Sequence, residues 1–263
     1  MYIPNFMVIG TQKAGTTYLC KALSKHPDIF LPPSKELFFF SKRGITKHDY
    51  LNYLKNYFQY KEGKRWVGEG STTYFQWPYA LTNIAHFIGQ DIKFILCLRH
   101  PTEKAISFYI HNWRRGRYKS GASILSAGQG DARLSPTYTS KYAEPLRRWL
   151  EVYSRDQLKV VFFDFLQKDP YGFVKQVTDY LDIPAISEVQ KDVVNPGLPL
   201  VWDNNYLIIS NSGKDNSSFL PRFPKEEIQI LHERFLQDID ETSELLEIDL
   251  SKWKEFPQFP TSN

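Results

Sequence analysis

The chain has 263 residues, of which 42% are hydrophobic and 16% aromatic; that supports a sizeable core and argues against a disordered chain. Its net charge of +4 is too small to argue for nucleic-acid binding, and no nucleic-acid partner is expected; it suits an anionic ligand. The two cysteines, Cys20 and Cys97, lie inside apolar runs, which argues against a disulfide framework and favours a reducing compartment.

Residues 3–10 read as a short buried strand that runs into a glycine-bearing loop, and residues 16–26 as a helix with Tyr18, Leu19, Ala22 and Leu23 on one apolar face. His26-Pro27 ends that helix. Pro32-Pro33 opens a loop carrying Lys35-Glu36 and then Leu37-Phe38-Phe39-Phe40. A helix follows over 46–58, with Thr46 and Asp49 at capping-box spacing. Residues 66–69 predict a strand, 79–88 a helix, and 92–98 a continuous apolar strand of the parallel-sheet type. Pro101 opens a helix through Trp113. The Gly-, Ser- and Ala-rich stretch over 116–138 reads as a functional loop or as disorder. Helix returns at 142–153, strand at 158–163 and helix at 171–181. Residues 195–221 read mostly as loop, and 224–235 as a last amphipathic helix.

Strands alternating with helices predict an α/β fold, a mostly parallel sheet flanked by helices on both faces. Ligands in such folds bind beyond the carboxyl ends of strands. One such loop is Gly10-Thr11-Gln12-Lys13-Ala14-Gly15-Thr16-Thr17. Unpaired N–H groups at a helix start, the helix dipole and Lys13 favour an anion there. The competing reading is a tight turn with an incidental lysine. The spacing is P-loop-like, but Thr16 stands where a P-loop requires lysine, so the roles of a triphosphate site are not filled in the usual way. The second loop follows Leu98 and starts with Arg99, where a nucleotide hydrolase would commonly place a magnesium-binding aspartate. Arginine there suits a second anionic group, with Ser107 on the next helix as a further donor; a surface ion pair and an ordinary helix serine are the bland readings. Two anion sites fit a nucleoside with phosphates at both ends. No His/Cys/Asp/Glu cluster has metal-ligand spacing, so no metal is expected.

The two motifs, Gly10 to Thr17 and Leu98-Arg99-His100-Pro101-Thr102-Glu103-Lys104-Ala105-Ile106-Ser107-Phe108-Tyr109, resemble those of the sulfotransferases that use 3′-phosphoadenosine 5′-phosphosulfate (PAPS). The likeness is to the carbohydrate, heparan sulfate-like branch and its soluble bacterial relatives. It extends through Lys35-Glu36 with its aromatics, Gly68-Glu69-Gly70-Ser71-Thr72-Thr73-Tyr74-Phe75, and residues 142–184, covering most of 3–184.

The resemblance implies a P-loop-like sulfotransferase fold, with residues 1–263 as one sulfotransferase domain. Loops near 114–141 and 195–221 would serve as acceptor lid and cofactor gate. Lys13, with Ala14, Gly15, Thr16 and Thr17, would cradle the 5′ end of the donor and stabilise the leaving phosphate. Arg99 and Ser107 would hold the 3′-phosphate, and Glu36 would be the general base. The product would be adenosine 3′,5′-bisphosphate (PAP), and the acceptor a hydroxyl or amine of a saccharide, with a lipid or polyketide-type alcohol as alternative.

The chain departs from the branch at Leu37, which replaces a proline, and at Gly70, where heparan-type enzymes often carry lysine. It lacks the late disulfide hairpin and the Lys-Gly-Arg cofactor loop, for which Ser212-Gly213-Lys214 is a substitute that would put Lys214 on the cofactor. His100, His111 and Glu69 rival Glu36 as base. The basic run Arg114, Arg115, Arg117, Lys119, with Trp113 and Tyr118, reads as a solvated helix end or as a rim for an anionic saccharide. No leader is expected, since the first strand-like run leads straight into the loop at Gly10 and cleavage there would destroy the candidate site. No membrane span is expected, since the longest apolar runs fall short of the roughly 18–20 residues needed; the expected location is cytoplasmic. The competing functions are a P-loop kinase or ATPase, with Asp164 after an apolar strand, and a nucleotide-binding module without chemistry.

Overall fold

The computed structural model describes residues 2–59, 63–119, 121–186, 198–210 and 220–262. The elements run β1 (Phe6–Gly10), α1 (Thr16–Leu23), β2 (Ile29–Phe30), α2 (Lys47–Tyr57), β3 (Trp66–Gly70), α3 (Pro78–Phe87), β4 (Lys93–Leu98) and α4 (Pro101–Trp113). They continue with α5 (Pro136–Thr139), α6 (Ala143–Val152), β5 (Leu158–Phe162), α7 (Phe163–Lys168) and α8 (Pro170–Tyr180). The last are β6 (Leu200–Asp203), β7 (Tyr206–Ile209), β8 (Phe223–Pro224), α9 (Lys225–Glu233) and α10 (Leu236–Leu246). The chain divides into two compact units, Met1–Arg99 with Pro145–Val194, and His100–Glu144 with Asn195–Asn263.

The first unit is built on a five-stranded parallel sheet in the order β2-β3-β1-β4-β5. Its central strands are buried along nearly their whole length because both faces are covered, which is why they read as unbroken apolar runs rather than as alternation. On one face Phe6, Val8, Ile95, Cys97 and Val161 pack against Tyr18, Leu19 and Leu23 of α1 and Phe173, Val174 and Val177 of α8. On the other, Phe94 meets Trp149 and Tyr153 of α6 edge-on. Cys20 and Cys97 are buried free thiols, and burial pushes the Cys20 thiol up to about 11.

Strand order reverses between β1 and β4: after β1 the chain goes to the edge strand β2, fills in β3 between β2 and β1, and then crosses to place β4 and β5 on the other side. That is the switch point at which open α/β sheets bind ligands. The parallel direction brings the carboxyl ends of β1, β3, β4 and β5 to one edge, so the loops after Gly10, Gly70, Leu98 and Phe162 share it.

In the second unit, α4 begins at Pro101 as expected. The stretch after it is irregular but packed, with Ile124 and Ala127 buried and a short 3₁₀ turn (Ala132–Leu134) before α5. Tyr118 stacks on Tyr109 and donates its hydroxyl to the Leu134 carbonyl, so it belongs to the packing of the loop rather than to an open sugar-binding face. Arg117 donates to the Asn112 side chain.

Residues 200–209 differ from the expected loop. They form an antiparallel hairpin, β6 and β7, turned by Asn204 at φ 53° and Asn205, and continued by β8 into a three-stranded sheet. The signal was present as two β-favouring runs separated by two asparagines. The helix expected to be last stops at Glu233, and α10 follows it with Ile239, Thr242 and Leu246 buried at helical spacing.

Candidate active site

Gly15 sets the first loop. It takes the left-handed conformation (φ 84°) as the cap residue of α1, and a Cβ there would lie 2.6 Å from Leu166 Cδ2 and 3.2 Å from Phe163 Cδ2. Glycine therefore lets the loop rest directly on α7. The α1 first turn carries no acidic residue, and its leading N–H groups have no partner within the helix. Ala14 is fully buried and Thr16 nearly so, while Thr17 is exposed. Lys13 is left-handed at φ 66°, an unusual conformation for a residue with a side chain.

The β1 and β4 loops are tied together. The Thr11 N–H and Oγ1 both donate to the Cys97 carbonyl, at 2.8 and 2.9 Å. The Arg99 guanidinium lies 4.5 Å over the Phe163 ring, with Nη1 3.5 Å from the Lys13 carbonyl. Phe163 thus supports both Gly15 and Arg99, a role that sequence reasoning missed. Its only mark in sequence is its place at the end of an apolar strand.

Glu36 is reached from the other side of β1. It is left-handed at φ 65°, its N–H donates to the Gly70 carbonyl at 2.9 Å, and its carboxylate accepts from the Thr72 N–H at 2.9 Å and from Thr72 Oγ1 at 3.0 Å. Lys35 pairs with Glu36 through its ammonium, which also lies 3.4 Å from Thr16 Oγ1. The structure thus brings Glu36, Lys35 and the α1 first turn into one neighbourhood of the first unit. In sequence Lys35 reads as an ion-pair partner for Glu36 and Thr72 as part of a similar segment; neither reading reaches Thr16 or the Thr72 contacts to the carboxylate.

Glu69 is no rival base. It is wholly buried and accepts from Tyr53 (2.6 Å), Ser71 (2.8 Å) and Tyr74 (2.9 Å). Burial pushes its carboxyl above the ordinary range, against the pull of those hydroxyls, and pushes the Tyr53 and Tyr74 phenols well up, so they remain donors. Ser71 Oγ in turn accepts from the Phe38 N–H (3.1 Å), and Tyr74 from the Phe40 N–H (3.3 Å). Glu69 therefore anchors the backbone just after Glu36. This network explains how left-handed conformations at Glu36 and Phe38 (φ 52°) are held.

Of the remaining predicted residues, Ser107 lies on α4 of the second unit. His100 is buried, stacked on His232, with Nε2 3.4 Å from the Glu255 carbonyl, a packing role within that unit. His111 lies in the last turn of α4, and Asp164 in the first turn of α7. Lys214 lies outside the described residues. Among the described residues no group of three or more His, Cys, Asp or Glu is placed to hold a metal, and no helix is long and apolar enough to cross a membrane.

The sulfotransferase domain model matches residues 4–219, most of the chain. The chain belongs to the sulfotransferase family. It is an enzyme of that family, with the P-loop-like sulfotransferase fold. A solved sulfotransferase from Alicyclobacillus acidocaldarius superposes with a TM-score of 0.71 at 25% identity, covering 97% of this chain and 100% of that one. Among curated proteins, it is 26% identical over 202 residues to a bifunctional heparan sulfate N-deacetylase/N-sulfotransferase 1 of Caenorhabditis briggsae, over 69% of this chain and 23% of that protein. It is 28% identical over 189 residues to heparan sulfate glucosamine 3-O-sulfotransferase 3B1 of Mus musculus, over 70% of this chain and 47% of that protein. It is 35% identical over 109 residues to the membrane-associated sulfotransferase kil1 of Dictyostelium discoideum, over 41% of this chain and 22% of that protein. The chain thus spans less than half the length of these curated relatives.

Proposed function

We propose that this sulfotransferase takes its sulfuryl group from PAPS and delivers it to a hydroxyl or amine of a saccharide, the two units acting as one sulfotransferase domain. The observation that carries the reading is a carboxylate, Glu36, held by Thr72 and linked through Lys35 to the start of α1, whose first turn has no acidic residue. The residues fit a phosphosulfate: the α1 first turn and the β1 loop offer N–H groups, hydroxyls and Lys13, with no carboxylate in that turn. When bound, PAPS supplies a sulfuryl group on a phosphate leaving group.

Lys13, the loop amides and the threonines stabilise the charge that grows on the leaving 5′-phosphate oxygen. Glu36 takes the acceptor's proton as the acceptor's oxygen or nitrogen bonds to sulfur and the sulfur–oxygen bond to the phosphate breaks. Fixing both partners in line lowers the entropic part of the barrier. Arg99, set on Phe163 at the end of β4, holds the 3′-phosphate, and Ser107 carries the same assignment by its motif. The saccharide acceptor rests on the heparan sulfate enzymes among the relatives.

Ligand stabilisation tests the donor. PAP should raise the melting temperature without Mg²⁺, because it binds only the folded protein, and ATP should do so poorly. Strong Mg²⁺-dependent stabilisation by ATP would reverse the reading. Glu36→Gln should keep PAP binding and lose transfer to a heparan-type oligosaccharide, followed by mass spectrometry.

A further inference from the structure

Lys35 has no place in the mechanism above, yet its position is constrained from three directions. Its ammonium pairs with Glu36, and the two side chains are only 22% and 27% exposed, so the pair is largely enclosed. The same ammonium lies 3.4 Å from Thr16 Oγ1, at the first residue of α1. Its stem passes over β3: a Cβ built on Gly70 would lie 3.7 Å from Lys35 Cε and 2.6 Å from Cys20 Sγ. Position 70 therefore has no room for a side chain of its own, and the Lys35 stem lies beside it.

A pair that only neutralised Glu36 would have no reason to lean toward the donor loop. In-line transfer sets the sulfur between the attacking atom, whose proton Glu36 takes, and the 5′-phosphate oxygen cradled by the α1 first turn. An ammonium that touches both the carboxylate and Thr16 spans that interval.

We infer that Lys35 is a catalytic residue whose ammonium donates to the non-bridging sulfuryl oxygens, bridging base and donor loop. The assignment rests on the sulfotransferase reading above and deepens it. No extra reactant enters. The acceptor's proton goes to Glu36, the electron pair of the broken sulfur–oxygen bond leaves with the phosphate, and Lys35 keeps its proton throughout. Sharing the ammonium with the sulfuryl oxygens also frees a Glu36 lone pair for the acceptor's proton.

PAP lacks the sulfuryl group, and that separates this role from phosphate binding. Lys35→Met keeps the stem over Gly70 and removes the charge. Calorimetric titration in the absence of acceptor should show unchanged affinity for PAP and a loss of about tenfold or more for PAPS, the effect of one charge-assisted hydrogen bond. Turnover should fall about 10²- to 10³-fold, as for loss of one transition-state donor, and Lys35→Arg should restore part of both. Equal loss of PAP and PAPS affinity in Lys35→Met would assign Lys35 to the phosphate or the fold and overturn the proposal. Unchanged PAPS affinity and turnover would overturn it as well. Wild-type protein that binds neither nucleotide would overturn the PAPS reading and this assignment with it, whereas active wild type beside an equally active Lys35→Met would remove Lys35 alone.

Discussion

Gly70→Ala is a small change with a large expected effect. Ordinary van der Waals contact begins near 3.4 Å, and the new methyl would sit 2.6 Å from Cys20 Sγ, about 0.8 Å too close. Cys20 is buried on α1, so relief requires α1 to shift against β3. Overpacking of this kind costs about 1–3 kcal/mol. For a chain of this size that corresponds to a fall in melting temperature of about 2–4 °C for each kcal/mol. Because α1 opens on the loop proposed to hold the donor, PAP affinity should fall too. Cys20→Ala removes the sulfur that the methyl strikes, so the double variant Cys20→Ala/Gly70→Ala should be close in stability to Cys20→Ala alone. The coupling energy from urea melts of the four proteins should then be about 1–3 kcal/mol in favour of the pair. Additivity within about 0.5 kcal/mol would refute the clash, and with it the reason given for glycine at this position.

Gly15→Ala should lower the melting temperature and abolish measurable stabilisation by PAP, since it adds a left-handed penalty of about 1–2 kcal/mol to a contact with Leu166; a well-folded variant that still binds PAP would contradict the close packing of loop on α7. Arg99→Lys keeps the charge but loses the face-on contact with Phe163, and PAP affinity measured by calorimetry should fall about threefold to thirtyfold. Glu69 binds its proton more tightly in the folded protein than at its ordinary value of 4.5, so its contribution to stability is full below that value and is lost as pH rises through the folded pKa. Glu69→Gln lacks this dependence, so its melting temperature relative to wild type should rise with pH; parallel curves between pH 4 and 8 would count against a raised pKa.

Much of the fold was legible from the chain. The strands of the central sheet announced themselves as apolar runs because they are buried on both faces, and the α2 start was marked by Thr46 and Asp49, which form a reciprocal capping box. The glycine loop over 10–17 and the start of α1 were legible because glycine spacing and a helix start are local. What stayed hidden depends on partners far along the chain. Phe163 supports Arg99 across 64 residues, and Ser71 and Tyr74 reach back more than 30 residues to the backbone of Phe38 and Phe40. Glu69 read as a rival base because a sequence does not distinguish a carboxylate facing a cleft from one enclosed by three hydroxyls.

By itself the sequence determined the alternation of strand and helix, the glycine loop with its displaced Lys13, and the order of the two motifs. These follow from backbone conformation and from the period of apolar residues, which are properties of neighbours. Only the tertiary structure decided that β1 and β4 flank the switch point, that Glu69 is an anchor, and that Lys35 reaches Thr16 over a glycine with no room for a side chain. Those outcomes depend on burial and on the convergence of β1, β3 and β4 ends in a parallel sheet, which no local pattern encodes.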